Sequence, residues 1–219
     1  MIRALAFLAA LLLCTTFASA QYWDDSLSVG YSHFFPERSG GLFFSKDGVY
    51  VDGDFAWRIP QTPMYFGLGV TASGYWDSED YNYPAFYSNR FGSGYYYGTT
   101  HLDSDVDFVE LEPRLAFKLW IPGAPGVFVR PRIGAGLLVD NYSIDEVVPD
   151  VYYYDFGYIH TLNHTGAAFE LRPAVQVGVE RGPASFGGEL SYMAGFGGFG
   201  GMGTVLQELR AGLFLRIRF

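Results

Sequence analysis

The side chains in this sequence that could move protons or attack an ester are a few histidines, one hydroxyl and its neighbouring acid. His33 stands early in the chain, Asp77 and Ser78 stand together further on, and His160 and His164 lie close to each other. A histidine near a hydroxyl and a carboxylate is the material of general-base catalysis at an acyl carbon. His160 and His164 have no serine at a matching spacing. The only cysteine, Cys14, falls in a segment that reads as a removed leader, so thiolate chemistry and disulfides are excluded from what remains. The stretch from Asp140 to His164 holds Asp140, Asp145, Glu146, Asp150 and Asp155 with no lysine or arginine. Such a run repels phosphate groups unless Ca²⁺ or Mg²⁺ bridges them, but its spacing is not that of a calcium loop, and no metal site or cofactor is assigned. The glycine run from Gly195 to Gly203 has no lysine after it and no helix context, which makes it a connection rather than a phosphate cradle.

What positions such residues depends on the class of chain. At 17% charged, 49% apolar and 19% aromatic the sequence is not that of a disordered protein. Met1 to Ala20 joins Arg3, an apolar run around Leu11-Leu12-Leu13 and the small-residue end Ala18-Ser19-Ala20, the layout of a cleaved secretory signal. The expected organisation is therefore a leader at 1–20 and one domain at 21–219. Leu13 before Cys14 argues against a lipid-modified cysteine. The formal charge of −9 includes Arg3, so the mature chain is more acidic still, and nucleic acid is excluded as a partner.

Beyond the leader no run of 18 apolar residues occurs, yet hydropathy alternates. In Phe108 to Ile121, Val109, Leu111, Pro113, Leu115, Phe117, Leu119 and Ile121 share one face, and Glu110, Glu112, Arg114 and Lys118 the other. That is a strand with one apolar and one charged side. Eight such segments follow, at about Asp25–Phe35, Val49–Ile59, Met64–Trp76, Phe108–Ile121, Val127–Val139, Thr165–Glu180, Ala184–Tyr192 and Val205–Phe219. Each is long enough for the roughly 9–11 residues with which a tilted strand crosses a bilayer. Tight turns at Pro60–Pro63, Pro122–Gly126 and Arg181–Pro183 alternate with longer connections. The pattern predicts an all-β fold, an eight-stranded antiparallel up-and-down transmembrane β-barrel with its long loops on one side.

The faces assigned to lipid are expected to carry no charge, with His33, Thr165 and Gln207 near the loop-side ends. The opposite faces carry Asp52, Asp54, Glu110, Glu112, Glu170, Glu180, Glu189 and Glu208 against Arg58, Arg114, Lys118, Arg130, Arg132, Arg172, Arg210, Arg216 and Arg218. Eight strands enclose only enough room for their own side chains, so these groups predict a plugged lumen of ion pairs, with a narrow gated pore as the third-ranked reading. Pro113, Pro131 and Pro173 fall inside strands and each removes a ladder hydrogen bond; Pro131 and Pro173 are expected to face each other.

The last segment alternates to Phe219, with Leu213, Leu215, Ile217 and Phe219 on the lipid face. It resembles the terminal strand of Gram-negative outer-membrane proteins, and the strand count resembles the small eight-stranded barrels such as the outer membrane protein A transmembrane domain. The resemblance implies a bacterial outer-membrane location, contact with lipid and lipopolysaccharide, recognition by the barrel-assembly machinery through those four residues, and a monomer. The order His33, then Asp77-Ser78, resembles that of the outer-membrane palmitoyltransferase family, which makes lipid A acyl transfer or deacylation the alternative activity. The leading expectation is structural or adhesive. Tyrosines crowd the long connections, including Tyr95, Tyr96, Tyr97, Tyr152, Tyr153 and Tyr154. Beyond a headgroup girdle they suit contact with an extracellular protein or glycan.

Overall fold

The computed structural model describes residues 23–35, 47–89, 92–148, 158–198 and 205–219; the leader segment lies outside them. Nine strands run in chain order: β1 (Trp23–Phe34), β2 (Asp47–Arg58), β3 (Met64–Asn89), β4 (Gly92–Phe117), β5 (Leu119–Trp120), β6 (Val127–Val148), β7 (Tyr158–Arg181), β8 (Ala184–Gly198) and β9 (Val205–Arg218). The two-residue β5 continues β4 around the same wall position, since both pair with β6. Every neighbour in the ring is antiparallel and next in sequence, and β1 pairs with β9 to close it. The protein is thus a closed eight-stranded up-and-down barrel. Closure matters because a barrel in hydrocarbon has no water to satisfy a sheet edge.

Side-chain alternation sets the two faces. Leu27, Val29, Leu111, Ile133, Leu171, Val175, Val177, Leu190 and Leu215 are exposed on the outer wall, while Asp52, Glu110, Arg114, Arg130, Glu170, Arg172 and Arg210 are buried inside. A water-soluble sheet would show the reverse. Tight connections hold the lower end together. Gly182, between β7 and β8, has φ +62°, in the left-handed region where glycine carries no Cβ penalty.

The structure differs from the sequence reading on the loop side. The connection expected between Trp76 and Phe108 is strand over nearly all its length, paired from Trp76↔Asp105 up to Asn89↔Gly92. Likewise β6 continues past Val139 and pairs with β7 up to Val148↔Tyr158. The apolar/charged alternation of the sequence ends at Trp76, whereas the pairing of β3 with β4 continues, so periodicity stops where pairing does not. The other half of the ring stops lower: β2 last pairs with β3 at Gly48↔Tyr75, and β8 with β7 at Ala167↔Gly198. Four strands, β3, β4, β6 and β7, therefore stand above the rim as an open sheet. Along β3 this extension runs on the order of 40 Å at roughly 3.3 Å per residue.

The prolines break the ladder elsewhere than expected. Pro131 pairs with Val175, and Pro173 with Ile133, so they do not face each other and the β6–β7 ladder is continuous. The gaps fall on other seams. The β4–β6 pairing skips Glu112 and Pro113, and again the stretch between Ala116↔Arg132 and Leu119↔Val129, where Pro131 would supply an N–H. The β7–β8 pairing skips Arg172 and Pro173. The division of β4 from β5 at Lys118 follows from the missing donor of Pro131.

Candidate functional site

Three layers of side chains fill the lumen. Nearest the loop side, Phe34, Tyr75, Val106, Phe108, Leu138, Ala168, Met193 and Leu206 form an apolar cluster. Alternation delivers these from seven strands, and the aromatic rings of Phe34, Tyr75 and Phe108 meet at 5.6–6.0 Å between centroids. The cluster packs across the loop-side end of the lumen and closes it with mostly apolar side chains.

Below it lies the ionic layer. Arg114 of β4 reaches Asp52 of β2 with Nη1 to Oδ2 at 2.9 Å and donates Nε to Glu112 at 2.8 Å. Thr71 donates to Asp52 and accepts from Arg172 Nη1 at 2.8 Å. Arg172 pairs with Glu110 and stands 3.2 Å from Glu112. Arg210 of β9 crosses to Glu110 at 3.0 Å and holds Glu208 at 2.7 Å. Among the described residues Glu170 is hydrogen-bonded by Arg172 alone, at 3.4 Å, and one of its oxygens has no hydrogen-bond partner. Arg132 holds Glu189 at 2.9 Å, and Arg130 stands 3.3 Å from Asp54. Two glycines make the room: a Cβ at Gly69 would fall inside the Arg114 guanidinium, and one at Gly134 inside the Glu112 carboxylate. Charges sealed from water at this depth persist only when paired and hydrogen-bonded.

At the opposite mouth Lys118 pairs with Glu180, and half-buried Arg218 bridges Asp24 at 3.1 Å and Glu180 at 3.1 Å. The accounting of charge changes here. Asp24 points inward and is buried, Asp140 is buried in β6 rather than lying in a loop, and Arg58 is exposed at the turn, where Nε meets the Thr62 carbonyl at 3.4 Å. With Glu180 and Arg218 the interior holds ten acids and eight bases among the described residues. Asp25 shares the outward parity of Leu27, so the outer wall is not wholly free of charge at its lower edge. Strand parity could have found Asp24 and Asp25; the exposure of Arg58 depends on where the strand ends.

On the outside of the loop-side rim, His33 Nδ1 lies 2.7 Å from Asp47 Oδ1, Tyr31 donates to the same oxygen, and Phe35 meets the imidazole edge-on at 4.6 Å. The acid beside His33 is thus Asp47 of β2. Asp77 and Ser78 belong to β3, opposite Ser104 and Asp103, with β2 between them and β1. Tyr95, Tyr96 and Tyr97 sit in β4 opposite Phe86, Ala85 and Pro84, within the raised sheet. Tyr152, Tyr153 and Tyr154 lie outside the described residues.

No family model matches the chain, and no curated protein matches it by sequence. Solved structures do. A major outer membrane protein from Thermus thermophilus aligns at a TM-score of 0.51 with 15% identity, covering 90% of this chain and 99% of that one. This is the fold of the small outer-membrane β-barrels. The Neisserial surface protein A aligns at 0.49 with 13% identity over 91% of this chain and 98% of its own. Ail, the attachment invasion locus protein of Yersinia pestis, aligns at 0.45 with 12% identity over 90% and 99%, in a complex with a heparin analogue. At these identities the likeness is one of architecture. An outer-membrane barrel of this size turns its apolar wall to lipid, and that is the face on which Leu213 is 70% exposed and Phe186 and Leu190 more than half exposed.

Proposed function

We propose that the protein is an integral protein of the bacterial outer membrane, exported by the leader at 1–20, whose work is surface contact by the raised sheet above a plugged barrel. The carrying observation is the pairing pattern of that sheet. Among the described residues β3 has no outer neighbour from Asp77 to Asn89, and β7 has none from Tyr158 to Gly166. Free strand edges are templates onto which an extended segment can add by main-chain hydrogen bonds. The tyrosines at 81, 83 and 87 lie in β3 and those at 95–97 in its neighbour β4, a residue type that makes contact with little loss of side-chain freedom. Asp77, Glu79, Asp80, Asp103 and Asp105 give the sheet negative charge, which favours a protein segment bearing lysine or arginine over a sulfated or phosphorylated glycan. Lipopolysaccharide surrounds the wall in this reading, and the assembly machinery engages β9 through Leu213, Leu215, Ile217 and Phe219.

Shortening the β3–β4 hairpin by joining Trp76 to Asp105 through an Asn-Gly turn, which keeps the register Trp76↔Asp105, tests it. The barrel should still fold, seen as heat-modifiable mobility on gels, while adhesion of displaying cells to immobilised extracellular proteins falls to background. Adhesion equal to that of the full chain would remove the proposal. The lipid A enzyme reading has no comparable support: the acid against His33 is Asp47, and Asp77-Ser78 belong to β3, with β2 between it and β1.

A further inference from the structure

The raised sheet is half of a ring. β3, β4, β6 and β7 are four consecutive positions of the eight, and among the described residues the other four strands stop lower, so the wall stands on one side only. Its two free edges are β3 from Asp77 to Asn89 and β7 from Tyr158 to Gly166. Pro84 takes one donor from the β3 edge, the place in a sheet where proline is accommodated. The remaining main-chain groups of both edges can pair with an added strand.

Continuing a barrel wall from a free edge keeps its curvature and therefore its axis. A second copy in the same membrane cannot share that axis, because the two closed lower barrels would occupy one space. A copy in a facing membrane can, since it stands inverted above this one. A two-fold axis perpendicular to the barrel axis performs that inversion and preserves the tilt and handedness of the strands. It sets β3 beside the second copy's β3 and β7 beside its β7. Each new pair is then antiparallel, as every pair in the ring already is. Four strands from each copy complete a ring of eight with no edge left open.

The distribution of charge along the strands suits this arrangement. Asp77, Glu79, Asp80, Asp103 and Asp105 sit at the foot of the β3–β4 hairpin, whereas residues 81–89 and 92–100, paired above them, contain no Asp, Glu, Lys or Arg. β7 has none from Tyr158 to Gly166. Inversion brings an uncharged upper strand against an acidic foot, so like charges are not set opposite each other. We infer that the raised sheet pairs with that of a second copy on an opposing membrane, closing a continuous eight-stranded barrel that holds the two surfaces together. The inference rests on the surface-contact role proposed above and takes this chain itself as the partner.

One barrel per phospholipid nanodisc leaves both faces accessible and excludes contact within a membrane. Discs carrying the full chain should pair loop side to loop side in electron micrographs, with a gap of about 30 Å, the height of roughly 40 Å of strand inclined at about 40°. Discs carrying the hairpin-shortened chain should stay single. Residues 21–219 contain no cysteine, so Tyr81→Cys, Tyr83→Cys and Ala85→Cys, made singly, can form a disulfide only between copies. At least one of them should cross-link to itself, while Tyr83→Cys mixed with Leu162→Cys of β7 should give no mixed dimer. Full-chain discs that stay single, or mixed dimers in place of like ones, would overturn the two-fold pairing. Single discs from a chain whose displaying cells still adhere through the hairpin would overturn it too, and would leave the surface-contact role standing with another protein as partner. If the shortened chain does not fold, the cross-links in the full chain decide.

Discussion

Arg114 illustrates how one side chain organises the interior. It is held by Asp52 and Glu112 and lies over Gly69, where any Cβ would occupy its place. Truncating such a group costs more than the pair contributes, because two carboxylates are left buried with a lost counter-charge. Arg114→Ala is expected to destabilise the barrel by about 3–5 kcal/mol in denaturant unfolding from liposomes. A loss under about 1 kcal/mol, the range of solvent-exposed pairs, would mean that the interior is wetter than its burial indicates. Sequence parity alone sorted Asp52, Glu112 and Arg114 to one face. It could not pair them, since the partners are separated by up to 62 residues and meet only across the lumen.

Among the strands, the seam between β4 and β6 is the one the prolines interrupt most. The two gaps on this seam remove one donor from each strand, that of Pro113 in β4 and that of Pro131 in β6, at a depth where water is scarce. Pro131→Val would return an N–H while keeping an apolar side chain on the outer wall. The expected gain is about 0.5–1.5 kcal/mol, with slower amide exchange at Phe117 and Leu119. Unchanged exchange there would show that something other than the missing donor divides β4 from β5. The sequence showed that three prolines lie within strands. Which seam each one weakens depends on register, and register is a property of strand pairs.

The whole molecule combines a closed lower barrel with a taller half-wall. In the lower part the apolar cluster and the ionic layer fill the interior, as the radius of an eight-stranded ring requires. Planar-bilayer recordings should accordingly show no steady porin-sized conductance. A stable open channel of that size would contradict the packing of Phe34, Tyr75, Phe108 and Leu138. Among the described residues the taller half-wall leaves the outer edges of β3 and β7 without a strand neighbour, and the proposed surface contact rests on those edges.

A period of two marked the strands and their two faces, and together with the leader pattern, the alternation of short turns with long connections and the terminal strand ending in Phe219 it specified an eight-stranded barrel, because lipid and a filled lumen impose opposite demands on successive residues. The same physics explains where the reading stopped. Between Trp76 and Phe108 the residues show no alternation, and without it a paired strand looks like a loop. Asp140, Arg58 and Asp47 were placed by where strands end and which neighbours they meet, neither of which leaves a periodic trace.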